Sequence, residues 1–494
     1  MARWIEPSER MAVIAKAAAG PLPATGIIGV ADIVWLPIGD DWFAISSETA
    51  GWVVLDEAER ADLASWTSGV DVRDLTGRAS RLLATTLWSR ALITVGGRTA
   101  LAPVDWDAVI ASTRDDYGLV VVLNSGCNLA CTYCYLGHSA PTPEHDLGLD
   151  LARGAIDAAM GRAEQNVIID FGEISAALDH FFVLADYARG RARALGRALR
   201  IAVQTNATTL TDAVVERLVG LDVILGVSID GPAELHDLAR PRRGGRPTHS
   251  LVLRGLERCR AASLPYHLIV TVGRHNVDHP DAVLDQVGEL APDTFLCKPI
   301  LAHGEARRDW DRLGASPGEI AAFLERSISR ASVIGLGALD QSAAKFLLRL
   351  VGDRRGWRDS CTSRHCASGR SLHVLSARGE LHACPRFVEP GLGRAVTATT
   401  VDLELTAAPL LAASLRVEPA SCRGCPWLRT CGGGCTLSGQ HDDRGVDPLP
   451  DRHCTSYDTQ HRSLVTYVLP ALMRGEIPFD KALAGARLVS DAPD

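Results

Sequence analysis

The segment LNSGCNLACTYCYLG places Cys127, Cys131 and Cys134 at C-x3-C-x2-C spacing, close enough for all three thiolates to serve one metal centre. Thiolates are the usual ligands of iron–sulfur clusters. Structural zinc sites more often take four ligands in pairs. Three protein ligands on a four-iron cube leave one iron without a protein ligand, and a substrate can coordinate there directly. A second group lies downstream: Cys361, Cys366, Cys384, Cys422, Cys425, Cys431, Cys435 and Cys454, centred on CRGCPWLRTCGGGC. Eight thiolates suffice for two four-iron clusters with four ligands each. Two all-cysteine zinc sites would use the same ligands, and spacing alone does not separate the metals. Gly432–Gly434 would let the backbone fold closely around a cluster. That assigns eleven of the 13 cysteines. Cys259 and Cys297, on a predicted helix and strand, read as small buried hydrophobes.

The elements around the first trio determine what it can do. From about 117 to 300, apolar strands alternate with helical segments: YGLVVVLNS, a helix over 149–162, NVIIDF, a helix over 176–199, RIAVQT, a helix over 211–220, DVILGVSID, a helix over 249–262, YHLIVTV, a helix over 280–290 and TFLCKPI. Six strand-then-helix units imply parallel strands with crossover helices. Their apolar character suits strands covered on both faces. The fold class is α/β, with a partial (β/α)6 barrel that stops short of the eight units of a closed TIM-type barrel. The cysteine trio follows the first strand directly. The carboxyl ends of strands are where such sheets carry their reactive groups.

Before the barrel, strand-like runs at 33–36, 42–47 and 51–55, helices at 57–66 and 78–90, and the strand in ALITVGG suggest a small winged-helix-like module. Helices are expected near 317–334, 339–351 and 460–474. The segment 357–456 is rich in Cys, Gly and Pro with little regular periodicity, so metal clusters would have to hold it together. The expected domains are 1–113, 114–335, 336–458 and 459–494. A 494-residue chain fits that number, at roughly 100–200 residues per domain. Hydrophobic residues at 47% and charged residues at 22% are those of a soluble globular protein. A net charge of −8 argues against nucleic acid as a partner. The N-terminal residues carry Glu6, Glu9, Arg10 and Lys16 among the apolar ones, which is unlike a signal peptide. The most apolar stretch, 21–38, is broken by proline, glycine and Asp32 and makes a poor membrane span. A cytoplasmic location, where thiols stay reduced, is expected.

The trio, with the aromatic Tyr133 before its last cysteine, resembles the radical S-adenosylmethionine superfamily over roughly residues 117–300. The resemblance implies that the free iron chelates the amino and carboxylate groups of S-adenosylmethionine, and that reductive cleavage yields a 5′-deoxyadenosyl radical that abstracts hydrogen. The family's Gly-Gly-Glu-Pro segment is represented by DFGEIS: Gly172 and Glu173 match, Phe171 stands at the missing glycine and Ile174 at the proline. VQTNATTL is similar to the third-strand segment and contributes Asn206. VSIDGPAELHDLAR is similar to the fourth-strand segment; it implies Ser228 and Asp230 at the ribose and Arg240 at the methionine carboxylate, a sound pairing of guanidinium with anion. The downstream cysteines resemble the SPASM extension of these enzymes. Carried over, Cys361, Cys366, Cys384 and Cys435 would hold one auxiliary 4Fe-4S cluster and Cys422, Cys425, Cys431 and Cys454 the other, giving three clusters in all. A reductant such as flavodoxin or ferredoxin would feed them.

SPASM enzymes act mostly on peptides or proteins. The sulfatase-maturating branch carries an Asp just after the cysteine matching Cys384, and Pro385 stands there instead. CPRF looks more like the maturases of ribosomally made peptides. The N-terminal module resembles the element that takes a leader peptide as an added strand at its sheet edge. The basic runs RGRARALGRALR and RPRRGGR read as a solvated helix face and a loop able to touch an acidic peptide. The expected activity is radical modification of a precursor peptide with a leader, installing a carbon–carbon or thioether crosslink. The alternatives are sulfatase-type side-chain oxidation, small-molecule dehydrogenation, or a non-catalytic peptide-binding or electron-transfer scaffold.

Overall fold

The computed structural model describes residues 20–100, 116–135, 139–162, 166–334, 339–351, 367–369, 371–385, 388, 394–397, 401, 403, 422–435 and 454–477. Cys361 and Cys366 lie outside the described residues. The chain forms two compact units: one gathers 1–110, 328–366 and 414–494, the other 111–327 and 367–413.

In the first unit, β1 (Ile28–Val30) pairs antiparallel with β5 (Ile93–Val95). Strands β2 (Ile33–Ile38), β3 (Asp41–Ser46) and β4 (Trp52–Leu55) form an antiparallel sheet. Helix α1 (Glu57–Trp66) starts at a capping box in which Asp56 accepts from the Glu59 amide and Glu59 reaches back to the Asp56 amide. Helix α2 is Arg78–Ser89. Alternation sends the two faces of the sheet into different cores. Ala44, Val53 and Leu55 pack with Leu63, Trp66, Leu83 and Leu87 of α1 and α2. Leu36, Phe43 and Trp52 pack instead with Phe346 and Leu347 of the helix Gln341–Leu350 and with Trp427, Leu464 and Val468. The Trp52 indole donates to the Leu350 carbonyl at 2.6 Å, so its one polar atom is satisfied inside that core. Both faces of this small sheet are therefore covered, and only its edges remain. The helix Cys454–Ser463 passes into a π turn, Leu464–Val468, within the expected C-terminal helical region.

The second unit is the α/β body. Strands β6 (Asp116–Val121), β7 (Asn166–Glu173), β8 (Ala198–Thr205), β9 (Val223–Ser228), β10 (Tyr266–Val272) and β11 (Thr294–Pro299) lie side by side in chain order, all parallel, as the alternating pattern requires. The intervening helices are α3 (Leu149–Arg162), α4 (Leu178–Leu195), α5 (Asp212–Gly220), α6 (Ala233–Ala239), α7 (His249–Ala261) and α8 (Pro280–Leu290). Along β7, Val167, Ile169 and Phe171 are buried toward the helices, while Ile168, Asp170 and Gly172 keep partial exposure on the opposite face. Strand β8 alternates similarly, whereas Gly226 of β9 and Ile269 of β10 are buried on this inner face too, so the inner face of this partial (β/α)6 barrel is open along β7 and β8 and more filled along β9 and β10.

Three local expectations change. The helix expected over 176–199 ends at Leu195, because Gly196 takes a left-handed cap, and Ala198 and Leu199 join β8. Helix α6 forms over the ELHDLA stretch, where the sequence shows a motif without a helical expectation. The region after 357 contains regular structure: β12 (Leu372–Leu375) adds in parallel to β6, followed by antiparallel β13 (Glu380–His382) and β14 (Arg394–Ala395). No helix among the described residues is long and apolar enough to cross a membrane.

Candidate active site

The loop after β6 is shaped by Asn124. Its carboxamide oxygen accepts from the Gly126 amide at 2.5 Å, and its nitrogen donates to Asp146 at 2.5 Å. A Cβ on Gly126 would lie 2.4 Å from the Ala140 carbonyl oxygen, so only glycine fits that crossing. Cys127 follows, its amide donating to the Ser139 carbonyl at 3.1 Å, and the Cys134 amide donates to the Cys131 carbonyl at 3.1 Å. Donors already face the first sulfur: the Leu129 amide at 3.5 Å and the Asn206 carboxamide at 3.8 Å. Burial pushes the Cys127 thiol up to about 12, with Glu173 adding to the rise, and pushes Cys131 up to about 11 against the pull of Arg240. Cys131 adds to the rise at Cys127, and Cys134 to that at Cys131, so the three sulfurs share one field. A cation able to displace their protons would relieve this cost. Among the described residues no three His, Cys, Asp or Glu side chains surround one point as a single metal ion requires. A four-iron cube asks for something different: each thiolate takes a separate corner iron, and three thiolates leave the fourth iron open.

The other expected residues gather at the same strand ends. Gly172, at φ +54°, turns the end of β7, and its amide donates to Asp170 at 2.8 Å. Glu173 accepts from the Ser175 amide at 2.9 Å. Burial raises its pKa, opposed by Ser175 and by Arg240. Phe171 is fully buried against Phe181, with ring centroids 5.3 Å apart; Ile174 is fully buried too, and its amide donates to the Gln204 carbonyl at 3.1 Å. A proline could not make that bond. Asn206 ties Asn128 at 2.8 Å to the Thr208 amide at 3.1 Å. Ser228 ends β9, half-buried.

Asp230, Tyr133 and Arg240 form one chain. The Arg240 guanidinium donates to the Tyr133 hydroxyl at 2.6 Å, which donates to Asp230 at 2.5 Å. The Thr271 amide donates to the other Asp230 oxygen at 3.0 Å, and His275 lies 3.3 Å away. Burial by itself would raise the Asp230 pKa, but His275 and Arg240 outweigh it and hold the carboxyl at about 2. Tyr133 also stacks on His275, with centroids 5.8 Å apart. The Arg240 Nε is buried with no hydrogen-bond partner, a donor that a carboxylate would satisfy. Three clustered cysteines, a carboxyl whose pKa burial raises and an orphaned guanidinium nitrogen would suit a cluster that binds an amino acid through its amine and carboxylate.

Three residues escaped the sequence reading. His275 follows β10 by three residues and carries no motif of its own. Asp170 and Lys298 occupy inward-facing positions on β7 and β11, and Lys298 lowers the Asp170 pKa against the rise caused by burial. Strand alternation from Gly172 would have found Asp170.

In the first unit, Cys422, Cys425, Cys431 and Cys435 share one short segment, and Cys454 opens the helix that follows. Burial pushes Cys431 up to about 12; Arg349 and the amides of Gly434 and Gly433 oppose it. Burial also raises Cys425, opposed by the amides of Trp427 and Leu428. Gly432, Gly433 and Gly434 all take positive φ. Amides turned toward sulfur are the environment iron–sulfur ligands favour. Cys384, in the second unit, is buried at the end of β13 and is followed by Pro385.

Residues 121–287 match the Radical SAM superfamily. The serine-type anaerobic sulfatase-maturating enzyme of Klebsiella aerogenes is 28% identical over 331 residues, 64% of this chain and 78% of the relative. The sporulation killing factor maturation protein SkfB of Bacillus subtilis is 25% identical over 217 residues, 41% of this chain and 48% of the relative. The fold is that of anSMEcpe with bound AdoMet, at a TM-score of 0.63 and 19% identity, covering 76% of this chain and 99% of that one.

Proposed function

Because the chain is a radical SAM enzyme, we propose that it matures a peptide or protein, and that its product is an intramolecular carbon–carbon or thioether crosslink in a precursor peptide carrying a leader. The bound cluster and S-adenosylmethionine would supply a hydrogen-abstracting radical. Cys127, Cys131 and Cys134 would hold the cluster. Gly172 and Glu173 would receive the methionine amine, Arg240 its carboxylate, and Asn206, Ser228 and Asp230 would order the nucleoside side, with Tyr133 locking Arg240 against Asp230. The observation that carries the precursor-peptide reading is the small sheet β2–β3–β4: with both faces covered, an extended leader could add only along an edge.

A second reading, sulfatase-type oxidation of a serine or cysteine, is favoured by the Klebsiella relative. Pro385 weighs against it, since it offers no carboxylate beside Cys384. The auxiliary thiolates would carry two further clusters, about twelve irons per chain in all. A flavodoxin or ferredoxin in a reducing compartment would supply electrons.

Co-expression with the short peptides encoded beside its gene, followed by mass spectrometry, tests the reading. A loss of about two mass units, the two hydrogens of a radical oxidation, with fragmentation interrupted between two residues, is expected. Conversion of a sulfatase-derived peptide, with the neighbouring peptides untouched, would favour the second reading instead.

A further inference from the structure

The arginine run after α6 lies against the cysteine loop. Residues 239–246 form a hairpin: the Arg242 amide donates to the Arg246 carbonyl at 2.8 Å, and the Gly245 amide to the Arg242 carbonyl at 2.9 Å. Its first arm runs antiparallel to the loop that carries the trio. Leu129 bridges Arg242, the Ala130 amide donates to the Pro241 carbonyl at 2.9 Å, and the Thr132 amide to the Ala239 carbonyl at 2.9 Å. Arg240 turns inward to Tyr133. Arg243 stays on the exposed side, where its Nε donates to the Cys127 carbonyl at 3.0 Å and its Nη2 to the Ser139 carbonyl. Ser139 also accepts the Cys127 amide. One guanidinium thus joins both ends of the loop.

We propose that Arg243 is a positioning residue for the first cluster: it clamps the Cys127 and Ser139 carbonyls and fixes a positive charge beside the ligand loop, which raises the cluster's reduction potential. The inference rests on the assignment of Cys127, Cys131 and Cys134 as cluster ligands. Reduction adds an electron to a centre already surrounded by three thiolates, so a nearby cation favours the reduced state. Arginine suits both tasks. Its fork of donors spans two carbonyls, where an ammonium acts as a point charge, and it does not deprotonate. Because Arg243 is exposed, its field should weaken with salt.

The test compares wild type, R243Q and R243K, loaded anaerobically with iron and sulfide. Iron per chain is measured, and the cluster whose electron paramagnetic resonance signal responds to S-adenosylmethionine is followed in a redox titration. R243Q is expected to titrate at a more negative potential, or to lose that cluster while its circular dichroism stays native. R243K is expected to restore the potential toward wild type. The difference between wild type and R243Q should shrink in about 1 M salt, where charges are screened within about 3 Å. R243Q with wild-type potential and full iron would overturn the proposal. A wild-type protein with no signal responsive to S-adenosylmethionine would overturn the ligand assignment, and this inference with it.

Discussion

Tyr133 sits between a buried guanidinium and a buried carboxylate, accepting from Arg240 and donating to Asp230. Removing its hydroxyl leaves the buried Arg240 and Asp230 each one partner short, a loss of about 1–3 kcal/mol. Y133F should therefore bind S-adenosylmethionine about tenfold more weakly, at the lower end of that range, as read by equilibrium binding to the reconstituted protein. Unchanged affinity would mean that Arg240 does not depend on Tyr133 for its position. The sequence named all three residues, by motif, but not their connection. Tyr133 and Asp230 are 97 positions apart, and nothing in either segment records that the two side chains meet. His275 was invisible for the same reason.

At the level of elements, strand order and helix placement were legible because the β-then-α alternation leaves few topologies once handedness and short connections apply. What was not legible came from local backbone choices. The left-handed Gly196 ends α4 early, and the 372–382 hairpin forms because β12 finds the free edge of β6, a partner some 250 residues away. The departure at Ile174 belongs to this scale as well. A proline there would match the family pattern but remove the amide bond to Gln204 and a fully buried side chain. I174P should lower stability by about 1–3 kcal/mol, read as a lower denaturant midpoint with unchanged slope. A gain in stability would show that the loop is strained without its proline.

For the molecule as a whole, buried neutral histidines tie stability to pH. His373, fully buried with its Nδ1 2.6 Å from the Tyr117 hydroxyl, is held at about 4 by burial, with Arg162 adding to the effect. Its folded pKa lies below the ordinary 6.5, so between about 6.5 and 4 the unfolded chain takes up a proton that the folded chain refuses. Stability from this group is intact above 6.5 and is lost as pH falls through that window. H373Q should flatten the fall in melting temperature between pH 7 and pH 5 relative to wild type. Parallel curves would place the pH dependence elsewhere.

The central claim, that Cys127, Cys131 and Cys134 generate a radical from S-adenosylmethionine, is tested most directly by 5′-deoxyadenosine. Reduced, reconstituted wild-type protein should form it from S-adenosylmethionine. A variant with all three cysteines changed to alanine should form none, while keeping about two thirds of the iron if the auxiliary thiolates hold two cubes. No 5′-deoxyadenosine from the wild type, or as much from the triple variant, would contradict the account.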